Sequence, residues 1–134
     1  MGFFGRFVYS DGAWGDAAAA GEYLALDVHD SSVATVDYAP VLEGSSGRCF
    51  LGYEPRHYFE DETASDPVDP AAEARGLISW AAHVTGENVP YEAVKQLLAD
   101  PKGAEPADVF VEDTSEKLIR LLGLPVPPDL APTA

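Results

Sequence analysis

The strongest constraint on the fold is the alternation of apolar and polar residues between Glu22 and Phe59. Two segments, EYLALDVHD and VATVDYAPV, alternate with period two and are rich in β-branched and aromatic residues, which is typical of antiparallel strands with one buried face. Their apolar faces coincide in a single register, because a slip of one residue would turn one face to solvent. That register places three pairs opposite each other: Leu24 with Tyr38, Leu26 with Val36, and Val28 with Ala34. It predicts a three-residue loop, Asp30–Ser32.

Further strands are predicted on either side of this hairpin. The segment Phe3–Tyr9 has a strand pattern, and the segment Ser10–Asp16 has the Asp-Gly signature of a turn. The segment Arg48–Glu54 forms the next strand, and Arg56–Phe59 is interpreted as its continuation at the edge of the sheet. A short strand is also predicted at Val109–Val111, and the alanine run at 17–20 is interpreted as one helical turn.

Helical patterns come after these strands. Asp69-Pro70 offers an N-cap followed by proline at the first helical position, and an apolar stripe then runs from Ala74 to Val84. A second helix is predicted to begin near Pro90 and to end at Asp100-Pro101, because the residue before proline avoids the α region. A third is predicted to open with a capping box at Asp113–Glu116. Because the strands precede the helices instead of alternating with them, the sequence predicts an α+β fold, with an antiparallel sheet of three to five strands packed on two or three helices.

A chain of 134 residues is long enough for one domain with its own core. We predict that residues 1–124 form a single α+β domain. Residues 125–134 are rich in proline and are predicted to form a tail that is either flexible or draped over the domain.

The chain is strongly acidic, with 23 Asp and Glu residues against 8 Lys and Arg residues and a formal net charge of −15. Such a field repels nucleic-acid phosphates and anionic lipid and accelerates encounters with cationic partners. We therefore expect neither direct nucleic-acid binding nor membrane association. The alternative is that the acidity serves solubility only, or reflects a compositional bias of the source proteome.

Several features favour a cytoplasmic location. No segment approaches the roughly 18 apolar residues of a membrane span, and the first residues lack the basic and apolar regions of a signal peptide. The single cysteine, Cys49, cannot form an internal disulfide and lies in an apolar run, which indicates a buried thiol in a reducing compartment.

The sequence contains no recognisable catalytic, metal or cofactor motif. The acidic segment Glu60–Asp69 fails as a calcium loop because Asp66 stands where that loop requires glycine. The three histidines, His29, His57 and His83, are too far apart in sequence for a zinc motif. We predict no metal and no cofactor.

The polar face of the predicted hairpin offers the best candidate site. It carries Tyr23, Asp27, His29, Val33, Thr35 and Asp37. Two carboxylates, an imidazole and a hydroxyl on one patch suit a basic side chain or a divalent metal, but the solvent side of a hairpin provides no dry pocket for catalysis.

The sequence therefore favours a small, non-enzymatic binding protein that engages a basic protein, as an inhibitor of a nuclease or a toxin-neutralising immunity protein would. Acidic residues steer such a partner, and exposed aromatic residues anchor it. The predicted contacts are Asp27, His29, Asp37, Glu60, Asp61, Glu62 and Trp14. Two alternatives stay open: a ligand- or metal-binding domain or small enzyme that uses Asp27 and His29, and a structural subunit of a homo-oligomer.

Overall fold

A computed structural model describes residues 2–15 and 21–130 of the chain. Five strands come first: β1 (Gly5–Ser10), β2 (Ala13–Gly15), β3 (Tyr23–His29), β4 (Val33–Ala39) and β5 (Arg48–Gly52). Four helices follow: α1 (Pro55–Tyr58), α2 (Pro70–Val84), α3 (Tyr91–Leu97) and α4 (Val111–Leu121). The strands form one antiparallel sheet in the order β2-β1-β3-β4-β5. The α+β class predicted from the sequence is confirmed.

The register predicted for the central hairpin is also confirmed. Leu24 pairs with Tyr38, Leu26 with Val36 and Val28 with Ala34, and these six residues are buried. The intervening loop has three residues, of which Asp30 and Ser31 adopt left-handed φ angles of 52° and 54°.

The predicted turn at 10–16 contains an additional short strand. Asp11 and Gly12 both have positive φ angles, 53° and 83°, as the two-residue turn of a tight hairpin requires, so β2 folds directly back onto β1. The alanine run at 17–20, interpreted from the sequence as a helical turn, lies outside the described residues.

Helices cover the face of the sheet that carries Leu24, Leu26 and Val28. The predicted start of α2 is confirmed, since the Asp69 carboxylate accepts hydrogen bonds from the amides of Ala71 and Ala72. Trp80 of this helix is buried against the sheet, and its indole Nε1 donates to the carbonyls of Tyr23 and Ala39. The outer face of the sheet is therefore the one that carries the polar hairpin residues.

The predicted edge strand at Arg56–Phe59 is wrong. Strand β5 ends at Gly52, whose φ is +77°, and Pro55 begins the helical turn α1, with the Phe59 amide donating to the Pro55 carbonyl. Proline has the φ angle of a first helical residue and lacks the amide that a strand would use, which explains the helical outcome.

The predictions at the start of the last helix are wrong as well. Val109–Val111 is not a strand, and α4 begins at Val111, so that Asp113 lies inside the first turn and does not cap it. The Val111 amide instead donates to the Ser31 carbonyl at 2.8 Å. A tertiary hydrogen bond to the β3–β4 loop thus replaces the local cap.

Residues 125–130 pack on the domain, as expected of a draped tail and not of a flexible one. Leu130 is 1% exposed and belongs to the core, and the indole Nε1 of Trp14 donates to the Pro125 carbonyl. Residues 131–134 lie outside the described residues. Among the described residues, no helix has both the length and the apolar character needed to cross a membrane.

Candidate functional site

The outer face of the central hairpin carries Asp27 and Asp37, and arginines of neighbouring strands neutralise these two carboxylates. Asp27 pairs with Arg6, which lies directly opposite on β1. Asp37 accepts two hydrogen bonds from Arg48 of β5, at 2.6 and 3.2 Å, and these raise the pKa of Arg48 above its ordinary value. Asp27 and Asp37 therefore add little net negative charge to the outer face of the hairpin.

His29, at the end of β3, lies in a cluster of aromatic rings. Its ring centroid is 4.9 Å from that of Phe4, 5.3 Å from that of Phe59 and 6.0 Å from that of Tyr58, all in edge-on orientations. Phe4 is 60% exposed and Phe59 is 52% exposed. We call Phe4, His29, Tyr58 and Phe59 the aromatic surface.

Three segments of the chain build this surface. The pairing of Gly5 with Val28 places Phe4 beside His29. The turn α1 returns Tyr58 and Phe59 to the sheet, and the Tyr58 hydroxyl donates to the Asp30 carboxylate at 3.0 Å. The aromatic surface is thus fixed by backbone pairing on one side and by a side-chain hydrogen bond on the other.

Carboxylates border the aromatic surface. Glu60, Asp61 and Glu62 follow Phe59 directly and are exposed, and none of them pairs with a lysine or arginine among the described residues. Hydrogen bonds from the Thr63 hydroxyl and amide hold the pKa of Asp61 below its ordinary value, so this side chain stays ionised. We call Glu60, Asp61 and Glu62 the acidic rim.

Basic side chains are mostly engaged elsewhere. Five of the eight lysines and arginines pair with a carboxylate, namely Arg6, Arg48, Arg56, Lys117 and Arg120. These five basic side chains therefore neutralise carboxylates outside the acidic rim, and the acidic rim keeps its negative charge.

A pocket of about 310 Å³ lies beside the β3–β4 loop. Ser31, Ser32, Tyr53, Glu105 and Val109 are among its lining residues. Val109 is 86% exposed, and the neighbouring Phe110 is 55% exposed. Exposed apolar side chains therefore also occur in the segment before α4 that lines this pocket.

The structure brings together some of the predicted contact residues and separates others. His29 adjoins Phe59 and hence the acidic rim, while Asp27 lies two residues from His29 in an ion pair. Trp14 packs against Tyr9, whose partner in β3 is Leu24, at the far end of that strand from His29. Trp14 therefore belongs to a different region of the surface.

Sequence reasoning missed Phe4, Tyr58 and Phe59 as part of the site. The sequence does place Phe4 and Arg6 on the same face of the predicted strand Phe3–Tyr9, so the pairing of this strand with β3 would have located Phe4 beside His29. Tyr58 and Phe59 lie next to His29 because α1 is a helical turn, whereas the sequence predicted an edge strand there.

The remaining histidines and the cysteine make their contacts with residues outside the aromatic surface. His83 pairs with Glu22, and the ring of His57 packs against Gly103. Cys49 is fully buried, and burial raises the pKa of its thiol. Within residues 2–15 and 21–130, no three His, Cys, Asp or Glu side chains are arranged to hold a metal ion.

Comparison of the chain with protein-family models, with curated proteins and with solved structures found no match.

Proposed function

We propose that this protein is a non-enzymatic binding protein whose aromatic surface and acidic rim dock onto a cationic protein. The single observation that carries the proposal is the exposure of Phe4 and Phe59 around His29, where Phe59 is followed directly in the chain by three carboxylates that pair with no lysine or arginine among the described residues.

The apolar part of this site supplies affinity. Phe4 and Phe59 are large side chains that are more than half exposed, although burial of such a side chain is worth about 1.5–3 kcal/mol. Contact with a partner would remove these rings from water. Aromatic residues also recur among the few side chains that dominate the binding energy of protein interfaces.

Charge determines which partner fits. The acidic rim attracts arginine and lysine side chains, and the neighbouring rings attract the same groups through their π faces, each contact being worth about 0.5–1 kcal/mol at an exposed site. The net charge of −15 extends this attraction to longer distances and increases the association rate. A second copy of the chain fits less well, because two acidic rims would face each other.

A basic nuclease or toxin is the class of partner that matches these properties. Such a protein carries a cationic active surface, and a small acidic protein that covers this surface blocks it. We propose an inhibitor or immunity-type role on this basis.

The test uses an acetylated and amidated hexapeptide of alternating arginine and leucine, here called the Arg-Leu peptide. Its affinity for the full chain is measured by isothermal titration calorimetry. We expect binding that weakens at least about fivefold when NaCl rises from about 50 mM to about 500 mM. At the lower salt concentration, the variant Phe59→Ser should bind the peptide about fivefold more weakly than the wild type does, since one aromatic anchor is lost.

Leu42→Ser is the matched control. Leu42 is also an exposed apolar residue, but it lies beyond Ala39, at the far end of β4 from Val33 and its partner His29. We expect this variant to bind as the wild type does. Equal affinity for a glutamate-leucine peptide, or equal losses in the two variants, would contradict the proposal.

A further inference from the structure

We propose that His29 is a proton switch in the aromatic surface, and that a partner's guanidinium or ammonium group binds only when the imidazole is neutral. This inference rests on the proposed function and adds a regulatory property to the same site. Binding then exchanges one cation for another: the proton leaves His29 to solvent, and the partner's charge takes its place among the rings.

The geometry places the proton and the partner's charge in competition. The centroids of Phe4, Phe59 and Tyr58 lie 4.9, 5.3 and 6.0 Å from that of His29. Cations are attracted to aromatic rings within about 6 Å of the ring centroid. An imidazolium at His29 therefore uses the same rings that would receive the partner.

The charged groups around His29 favour a single positive charge at this place, carried either by protonated His29 or by the partner. On its own hairpin, Asp27 is paired with Arg6 of β1, so this pair adds little net charge. Asp30 follows His29 directly; its carboxylate accepts from the Gly2 amide and from the Tyr58 hydroxyl and pairs with no lysine or arginine in the described part of the chain.

From the α1 side, the charged groups are those that flank Tyr58 and Phe59. Arg56 is paired with Glu54 and donates to the Pro101 carbonyl, so its charge is engaged away from His29. His57 packs against Gly103, and Glu60 follows Phe59 at the start of the acidic rim. Asp30 and Glu60 are thus the carboxylates that either a protonated His29 or a bound cation would use.

The direction in which pH changes the affinity follows from the thermodynamic linkage between proton binding and partner binding. Because the bound state excludes the proton, affinity falls wherever a fall in pH protonates the free protein at His29, by at most about tenfold per pH unit. Histidine side chains ordinarily titrate between about pH 5 and 8, while carboxylates ordinarily remain ionised at about pH 5.5.

The test is calorimetric titration of the full chain with the Arg-Leu peptide at constant ionic strength, at about pH 7.5 and about pH 5.5. Arginine stays protonated throughout, so the charge of the peptide does not change. We expect the wild type to bind at least about fivefold more weakly at the lower pH. His29→Phe keeps a ring but cannot be protonated, and its affinity should be equal at the two pH values within about twofold.

Two further variants complete the test. His83→Gln removes an exposed histidine that pairs with Glu22, and it should retain the full loss of affinity at low pH. If His29→Phe fails to fold, His29→Gln takes its place. The glutamine side chain is neutral at both pH values, so the affinity of this variant should also be equal at the two pH values. Circular dichroism verifies folding in each case.

The outcomes separate the switch from the function it rests on. Peptide binding that is equally tight at both pH values in the wild type, or a loss at low pH that persists in folded His29→Phe or His29→Gln, would overturn the switch and leave the binding function standing. Absence of binding at about pH 7.5 would overturn both.

Discussion

The Tyr38 hydroxyl donates a 2.6 Å hydrogen bond to the carboxylate of Glu73 in the interior of the protein. The second carboxylate oxygen of Glu73 accepts from the Ser46 amide at 2.7 Å. One buried side chain of α2 is therefore fastened both to β4 and to the loop that leads into β5. Space here is tight, since a Cβ added at Gly76 would lie 2.1 Å from the Tyr38 hydroxyl oxygen.

We predict that Tyr38→Phe lowers the free energy of unfolding by about 1.5–3 kcal/mol, because a buried carboxylate loses a donor that it cannot replace. Urea unfolding monitored by fluorescence measures this change. Tyr91→Phe is the control, since the Tyr91 hydroxyl has no hydrogen-bond partner among the described residues and its loss should change stability by less than about 0.5 kcal/mol. Equal effects of the two substitutions would contradict a structural role for the Tyr38–Glu73 bond.

The same hydrogen bond predicts how stability changes at high pH. Burial, together with the bond to Glu73, raises the pKa of Tyr38 far above its ordinary value. The unfolded chain ionises this phenol above about pH 10 while the folded chain does not, so stability falls as pH rises beyond that point. The advantage of wild type over Tyr38→Phe should therefore shrink by up to about 1.4 kcal/mol per pH unit above about pH 10. Parallel stability curves for the two proteins would show that the prediction is wrong.

Gly52 ends β5 where the chain passes closest to the β3–β4 loop. Its φ is +77°, and an added Cβ would lie 2.1 Å from the Ser32 carbonyl oxygen. We predict that Gly52→Ala costs about 2–4 kcal/mol of stability. Gly12→Ala is the matched comparison, because Gly12 has a φ of +83° but nothing within 4 Å of the added Cβ, and it should cost about 1–2 kcal/mol. Equal losses would indicate that strain in φ alone accounts for Gly52.

The charge that attracts the partner can be located by substitution. Replacing the acidic rim with the neutral set Glu60→Gln, Asp61→Asn and Glu62→Gln should weaken the Arg-Leu peptide about fivefold at low salt. The double variant Arg6→Gln with Asp27→Asn removes an ion pair without changing the net charge, and it should bind as the wild type does. A larger loss in the double variant than in the triple variant would place the attractive charge on the hairpin and not on the rim.

Local sequence patterns predicted the parts of the fold that depend on local chemistry. The register of β3 and β4 followed from period-two alternation, because only one pairing buries Leu24 and Tyr38 together. The start of α2 followed from Asp69 and Pro70, since the N-cap interaction spans only three residues.

Tertiary contacts determined what the sequence could not predict. The wrong edge strand at Arg56–Phe59 has a local cause instead, because Pro55 favours a helix start and the apolar pattern of so short a segment does not separate strand from helix. The start of α4 depends on a hydrogen bond to Ser31, which is 80 residues away in the chain. The candidate site shows the same limit, because Asp27 and Asp37 acquire their arginines only when β1 and β5 take their places in the sheet.

The most direct test of the binding surface is a chemical-shift map of the isotope-labelled full chain titrated with the Arg-Leu peptide at neutral pH. The account predicts that the ring signals of Phe4, His29 and Phe59, together with the amides of Glu60, Asp61 and Glu62, move the most and move together. Signals that do not move, or shifts centred on Val41 and Leu42 at the opposite end of the hairpin, would contradict it.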